Sequence, residues 1–345
     1  MRIVVAMSGG VDSSVVAGLM HAAGHEVIGV TLQLYDHGAA AGRKGACCAG
    51  QDIHDARNVA DRLGIAHYVI DAEAAFRKAV IADFTESYAT GKTPVPCVRC
   101  NQHLKFGDLL GLARDLGAEA LATGHYVRRE QGRDGAELHR AADAARDQSW
   151  FLFATTRDQL EFARFPLGTM PDKVEVRAHA ASMGLQVADK PDSQDICFVP
   201  SGSYADIVTK LRPDAGLPGD IVDQDGTVLG SHQGIARYTV GQGKRLGAAS
   251  GRVVTEIDAG RRRLVVGPRG TGSRQVRLAE PNWLIEPPGT PFRATVKLRA
   301  RETPQDAEID AATGIVTLDT AALAAPGQAC VIYDGTRVLG GGFIV

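Results

Sequence analysis

Residues 3–20 constrain this chain more than any other stretch. Ile3-Val4-Val5 is an apolar run too short for a helix and reads as a buried strand. Val15, Val16, Leu19 and Met20 recur at helical spacing and describe one face of a helix. Between them lies Ala6-Met7-Ser8-Gly9-Gly10-Val11-Asp12-Ser13-Ser14. A strand, a glycine turn and a helix N-terminus aim backbone N–H groups and the helix dipole at an anion. Gly9 and Gly10 permit close backbone approach, and Ser8, Ser13 and Ser14 add hydroxyls. Asp12 repels a phosphate unless a cation lies between them, so the stretch reads as a magnesium–pyrophosphate cradle. A ligand-free serine–glycine turn is the plainer alternative. The Walker loop is excluded, since no Lys-Ser/Thr pair follows the glycines.

The order of elements after this loop predicts an α/β fold. Val27–Leu32 and His67–Ile70 read as strands, and Ala120-Leu121-Ala122-Thr123 as a fourth. Residues 36–50 are small, glycine-rich and aperiodic, hence a loop. Asp52 is expected to cap a helix whose Ile53, Ala56, Ala60 and Leu63 share a face and which Gly64 stops. A further helix is expected through about Tyr88. Thr93-Pro94-Val95-Pro96 reads as an extended entry to a helix marked by Phe106, Leu109, Leu110 and Ala113. Alternation without short hairpins predicts a doubly wound parallel sheet. Ligands of such sheets sit at the carboxyl ends of the strands, so the Ser8 loop, Leu32, the segment after Pro96 and Gly124-His125 are expected to share one crevice. A helical pair is expected through Met183-Gly184. From about Gly202 the helices give way to glycines, Asp-Gly turns and alternating runs such as Val253–Ile257 and Thr295–Leu298. The expected division is a catalytic region over 1–203, a small mixed or β region over 204–275, and a β-barrel or sandwich over 276–345.

Charge separates these regions. Net charge is −2 overall. Residues 1–200 carry 21 Lys/Arg against 25 Asp/Glu, residues 201–275 carry 11 against 7, and residues 276–345 carry 6 against 8. The middle excess, including Arg261-Arg262-Arg263, suits a phosphate-contacting surface as well as a plain solvated hairpin. No apolar run approaches the roughly 18 residues a membrane helix needs, and the chain opens directly on a strand, so a cytoplasmic protein is expected.

Six cysteines stand at 47, 48, 97, 100, 197 and 330. Pro96-Cys97-Val98-Arg99-Cys100-Asn101 places two thiols beside an arginine just before a helix, surroundings that favour thiolate. Cys197 lies in a second polar, proline-broken stretch, Lys190–Phe198. Buried structural thiols or a zinc site completed by Cys47 or Cys48 are the plainer readings. Cys330 reads as core, and Cys47-Cys48 carries no assigned role.

The ordered motifs make a resemblance. The Ser8–Ser13 loop is similar to the SGGxDS loop of the ATP pyrophosphatase superfamily. It is followed by Pro96–Asn101 with Lys105-Phe106, Ala122–Tyr126, Asp147-Gln148-Ser149, Asp192–Phe198, Tyr238–Gln242 and Leu339–Gly342. In that order, essentially end to end, the chain resembles the bacterial and organellar tRNA-specific 2-thiouridylase family. The resemblance implies ATP-dependent replacement of O2 by sulfur on the wobble uridine of tRNAs for Lys, Glu and Gln. It implies ATP contacts at Ala6, Met7, Ser8, Gly9, Gly10, Val11, Asp12, Ser13, Leu32 and Gly124, with Mg²⁺ near Asp12. It places Cys97, Val98 and Arg99 around the flipped base of the anticodon loop. Further tRNA contacts fall on His125, on Arg146, Asp147 and Gln148, on Arg299 and Ala300, and on Gln328. It assigns a persulfide to Cys197, loaded by an upstream sulfur-carrier protein, and the partner nucleophile to Cys100, leaving a Cys100–Cys197 disulfide. Other members carry Asp where this chain has Cys97. Three cysteines near one site leave open a [4Fe–4S] cluster on Cys97, Cys100 and Cys197. An amide-forming ATP pyrophosphatase, or thiolation at another tRNA position, would use the same loop.

Overall fold

In a computed structural model, residues 1–35, 48–192, 196–199 and 203–345 are described. They fall into two compact units. The first comprises Met1–Ala79, Val98–Gln194 and Thr336–Val338, and the second Val80–Cys97, Asp195–Gly335 and Leu339–Val345.

The first unit is built on strands β1 (Arg2–Ala6), β2 (Glu26–Gln33), β3 (Ala66–Asp71), β4 (Ala120–Ala122), β5 (Val127–Gly132), β6 (Gly135–Arg140) and β7 (Ala163–Arg164). Five of them form a parallel sheet in the order β3-β2-β1-β4-β7. β1 is covered on both faces, with Val4 and Val5 fully buried, which is why it reads as a continuous apolar run rather than an alternating one. Val15, Val16 and Ala17 of the helix Val11–Ala22 pack with Val59, Val176 and Leu185 to form its core. The chain steps from β1 outward to β2 and β3, and later returns to the other side of β1 with β4. The switch point therefore lies between β1 and β4, where doubly wound sheets collect ligands.

Two expectations need correction here. The helix beyond the 36–50 stretch spans Cys48–Leu63, so Asp52 is an interior residue and not its cap; residues 36–47, including Cys47, lie outside the described residues. Pro96 opens a helix instead of ending an extended segment, because proline at the first helical position gives up only an N–H that would be orphaned anyway. Cys97 and Cys100 are thus helical, and Cys100–Leu109 is wound as a π-helix. Between Tyr126 and Arg140, where no element was expected or excluded, β5 and β6 form an antiparallel hairpin. Its run of charges, Arg128-Arg129-Glu130, hides the strand. Arg337 pairs with His139 beside it and bonds Glu137 at 3.0 Å.

The second unit carries a mixed sheet of β8 (Gly219–Val222), β9 (Val228–His232), β10 (Val253–Asp258) and β11 (Arg263–Gly267), ordered β10-β11-β8-β9. Strands β12 (Ser273–Trp283), β13 (Phe292–Lys297), β14 (Gln305–Asp310), β15 (Ile315–Ala322), β16 (Ala329–Asp334) and β17 (Arg337–Ile344) follow. Their ring, β12-β15-β14-β13-β16-β17, closes through a β12–β17 pairing into a barrel, which settles barrel over sandwich. Its interior holds Val296, Ile309, Val316, Leu318 and Ile332. Cys330 is fully buried on β16, and burial pushes its thiol up to about 12, so it is a core residue.

Candidate active site

The loop at the head of β1 is held open by its own hydrogen bonds. Met7 N–H donates to Val30 O at 2.8 Å, and Thr31 Oγ1 donates to Met7 O at 2.8 Å. Ser8 N–H donates to Ser13 Oγ at 3.1 Å, which folds the turn over the helix start. Ser13 and Ser14 hydroxyls both donate back to Gly10 O. Gly10 is the N-cap residue and contributes no side-chain cap, so the first helical N–H groups face the loop. Gly9 has φ +75°, and a Cβ there would stand 2.1 Å from the Asp52 carbonyl oxygen. Gly124, just past β4, also allows a close approach, though a looser one: a Cβ there would lie 3.0 Å from Ser13 N. The loop glycines therefore admit backbone neighbours as well as any ligand. Gly9→Ala is expected to lose at least about 1–2 kcal/mol from the left-handed backbone alone, read as a lower urea midpoint.

Asp12 anchors a charge network that the sequence pattern did not reveal. Both its carboxylate oxygens accept from Lys173 Nζ at 2.7 Å, and Tyr126 O–H donates to Oδ1 at 2.6 Å. Lys173 also pairs with Asp192 Oδ1 at 2.8 Å, and Asp192 Oδ2 takes Arg146 Nη1 at 2.8 Å. Burial pushes the Asp192 carboxyl up, but Lys173 and Arg146 outweigh it and hold the group below its ordinary range. Burial, then the bond to Asp12, drive the Tyr126 phenol up, so it stays a donor. Lys190 Nζ reaches the Gly9 carbonyl at 3.0 Å, Asp52 Oδ1 at 2.7 Å, and Asp55. Sequence reasoning missed Lys173, Tyr126 and Lys190. Tyr126 and Lys190 lay at the edges of motifs without a role of their own, and the signal at Lys173 was a lysine opening a helix, against the dipole.

Several residues assigned to tRNA are spent inside the protein. Asp147, whose side chain is 2% exposed, accepts from Arg140 Nε, Ala141 N and Ser149 N. Gln148 Oε1 accepts from Tyr126 N at 2.9 Å, and Gln148 N donates to Tyr126 O at 3.0 Å. Together they fasten the loop that aims Tyr126 at Asp12. His125 is buried, 2.8 Å from Thr123 Oγ1 and 3.4 Å from Lys105 Nζ. An ammonium only donates, so His125 Nε2 is the acceptor and Nδ1–H bonds Thr123. Burial, with Lys105 acting in the same sense, holds this imidazole well below 6.5. The unfolded chain binds a proton there first, so stability is full above about 6.5 and falls as pH drops toward the folded value. The His125→Gln variant is expected to flatten that fall by up to about 1.4 kcal/mol per pH unit, measured by urea titrations from pH 7 to 5.

The remaining candidates fall in the two units as follows. Leu32 is half-buried near the carboxyl end of β2, in register with Ile70. Val98 and Arg99 belong to the first unit with Cys100, which is 8% exposed; Arg99 Nη1 donates to Gln102. Cys97 and Cys197 belong to the second unit and are exposed. There Phe198 packs edge-on against Phe84 at 5.2 Å. Gln328 Nε2 donates to Thr93 O at 3.1 Å, and Thr93 N–H donates to Pro326 O at 2.7 Å, so the barrel holds the segment entering Cys97. Arg299 is exposed beside Gly241 and Glu302, with Ala300 next to it. Among the described residues, no group of three or more His, Cys, Asp or Glu is placed to hold a metal ion.

Comparison with known proteins covers the whole chain. The family model described as tRNA methyl transferase HUP domain matches residues 1–201. That described as tRNA methyl transferase PRC-barrel domain matches 205–268, and that described as aminomethyltransferase beta-barrel domain matches 273–344. A protein of Acidiphilium cryptum (strain JF-5), named tRNA-specific 2-thiouridylase MnmA, is 83% identical over 345 residues, covering 100% of both chains. Its namesake in Gluconobacter oxydans (strain 621H) is 63% identical, covering 100% of this chain and 99% of that one. That of Dinoroseobacter shibae (strain DSM 16493 / NCIMB 14021 / DFL 12) is 55% identical, covering 99% and 93%.

Proposed function

The chain belongs to the tRNA-specific 2-thiouridylase family, and from that premise we propose how its residues carry out ATP-dependent 2-thiolation of the wobble uridine in tRNAs for Lys, Glu and Gln. The observation that carries the ATP half is the glycine loop at the β1/β4 switch point, with helix N–H groups on one side and Asp12 on the other. Uracil O2 is a poor leaving group, so it attacks the α-phosphate of ATP and pyrophosphate departs into the loop. Ala6 through Ser13, with Leu32 and Gly124, hold the nucleotide. Mg²⁺ arriving with the triphosphate needs only one or two carboxylates besides phosphate oxygens, which Asp12 fits.

The sulfur half belongs to Cys197 and Cys100. A carrier protein loads Cys197 as a persulfide; its terminal sulfur attacks C2 and AMP leaves with the oxygen. The Cys100 thiolate then attacks the Cys197 sulfur, forming the Cys100–Cys197 disulfide and releasing the thiocarbonyl base. An external dithiol reduces the disulfide. The base is splayed out toward Cys97, Val98 and Arg99, as reaction on a nucleobase atom requires. His125, Arg146, Asp147 and Gln148 shape the tRNA-facing loops through the bonds described above, while Arg299, Ala300 and Gln328 serve from the 276–345 region and 204–275 adds basic charge. We route the reaction through the persulfide; a [4Fe–4S] cluster on Cys97, Cys100 and Cys197 is the alternative route. Iron and labile-sulfide analysis of anaerobic protein separates the two routes. Methyl transfer, the activity in the family models' descriptions, leaves the pyrophosphate loop and the thiols without work. No helix among the described residues is long and apolar enough to cross a membrane, and we place the enzyme in the cytoplasm.

ATP labelled at the α-phosphate tests the first half. Release of AMP and pyrophosphate that depends on substrate tRNA is expected; ADP and phosphate would refute the assignment. For the tRNA surface, Arg261 and Arg262 are exposed at the β10–β11 turn. Reversing both charges is expected to weaken tRNA binding for every substrate and to flatten the log–log salt slope by about two, measured by filter binding across salt.

A further inference from the structure

Lys173 opens the helix Lys173–Ser182, where a cation opposes the macrodipole, and it is 7% exposed. A charge kept there at that cost calls for a partner, and it has two. Its hydrogens are aimed at both oxygens of Asp12, each at 2.7 Å. Asp192 Oδ1 lies 2.8 Å away on the other side, so the one ammonium is shared between two carboxylates. Two residues earlier, Lys190 bonds the Gly9 carbonyl. The 190–192 step is therefore fixed at both ends of the pyrophosphate loop, directly at Gly9 and through Lys173 at Asp12.

We propose that Lys173 is a positioning residue that changes partner with nucleotide occupancy and so couples the loop to the 190–192 segment. With the loop empty, the ammonium serves as the internal cation of Asp12. When magnesium arrives with ATP, Asp12 no longer needs it. Lys173, no longer shared, then turns wholly to Asp192, strengthening the pair already present and tightening the 190–192 segment. No bond is made or broken; one cation replaces another at Asp12. By linkage, the same coupling raises nucleotide affinity when the segment is ordered. The inference rests on the reading of this loop as the MgATP site.

Amide hydrogen exchange tests it, with magnesium and α,β-methylene-ATP as the uncleavable probe and calorimetry to measure binding. In the wild type, the probe is expected to slow exchange across residues 185–192 by about fivefold or more. Lys173→Met is expected to lose that slowing and Lys173→Arg to keep part of it. Asp192→Asn, which leaves the Asp12–Lys173 pair in place, is expected to bind the probe without slowing, and it decides the matter should Lys173→Met fail to fold. Slowing in Lys173→Met or Asp192→Asn equal to that of the wild type overturns the coupling while leaving the MgATP site standing. So does a wild type that binds the probe with no change at 185–192. A wild type that does not bind the probe overturns both.

Discussion

Serine at Cys100 or at Cys197 is expected to abolish sulfur transfer, by about three orders of magnitude or more, while leaving ATP binding intact. A hydroxyl cannot hold sulfane sulfur, nor can it displace a thiolate from a disulfide. The two variants are expected to fail differently. Cys197→Ser receives no sulfur from a persulfide donor. Cys100→Ser is loaded and attacks the activated base but cannot release it, so a tRNA–protein adduct that a reductant dissolves should accumulate on a denaturing gel. The positions suit the roles: Cys197 is exposed, as loading requires, and Cys100 is buried at the start of a π-helical stretch, a distortion that recurs at functional sites. Cys97→Asp is expected to retain sulfur transfer. A cluster needing three thiolates would lose it.

Asp12→Asn is expected to lower the rate of ATP cleavage by about 10²–10³-fold, with both thiols still reactive. The carboxamide fills the same space and can still accept from Tyr126, so the loss reports charge and not shape. Lys173 keeps Asp192 as a partner, and folding is expected to survive. Single-turnover release of AMP at saturating ATP and tRNA is the measurement; an unchanged rate would remove Asp12 from the chemistry.

What was legible in the chain followed from periodicity and local chemistry. β1, the glycine turn and the helix Val11–Ala22 stand where the apolar pattern puts them, because each is decided by neighbours within a few residues. The ring of six strands beyond residue 273 was legible only as barrel or sandwich, since closure depends on the β12–β17 pairing between strands far apart in sequence. Asp52 looked like a helix cap because aspartate before an apolar face is a sound start signal; the helix begins four residues earlier, and the carboxylate serves Lys190 instead. Lys173 stands 161 residues from the aspartate it neutralises, and no spacing rule connects them. Asp147 and Gln148 were assigned to tRNA by resemblance, whereas their bonds run to Arg140, Ser149 and Tyr126. A motif marks which positions matter, but not whether a side chain faces the substrate or braces the loop that does.

The most direct test of the account is nucleoside mass spectrometry of an unmodified tRNA for Lys, Glu or Gln after incubation with this protein, MgATP and a persulfide donor. One oxygen-to-sulfur exchange, confined to the wobble uridine, dependent on ATP and absent with Cys197→Ser, is the expected result. Sulfur at another nucleotide, a methyl group in its place, or thiolation undiminished in Cys197→Ser would contradict it.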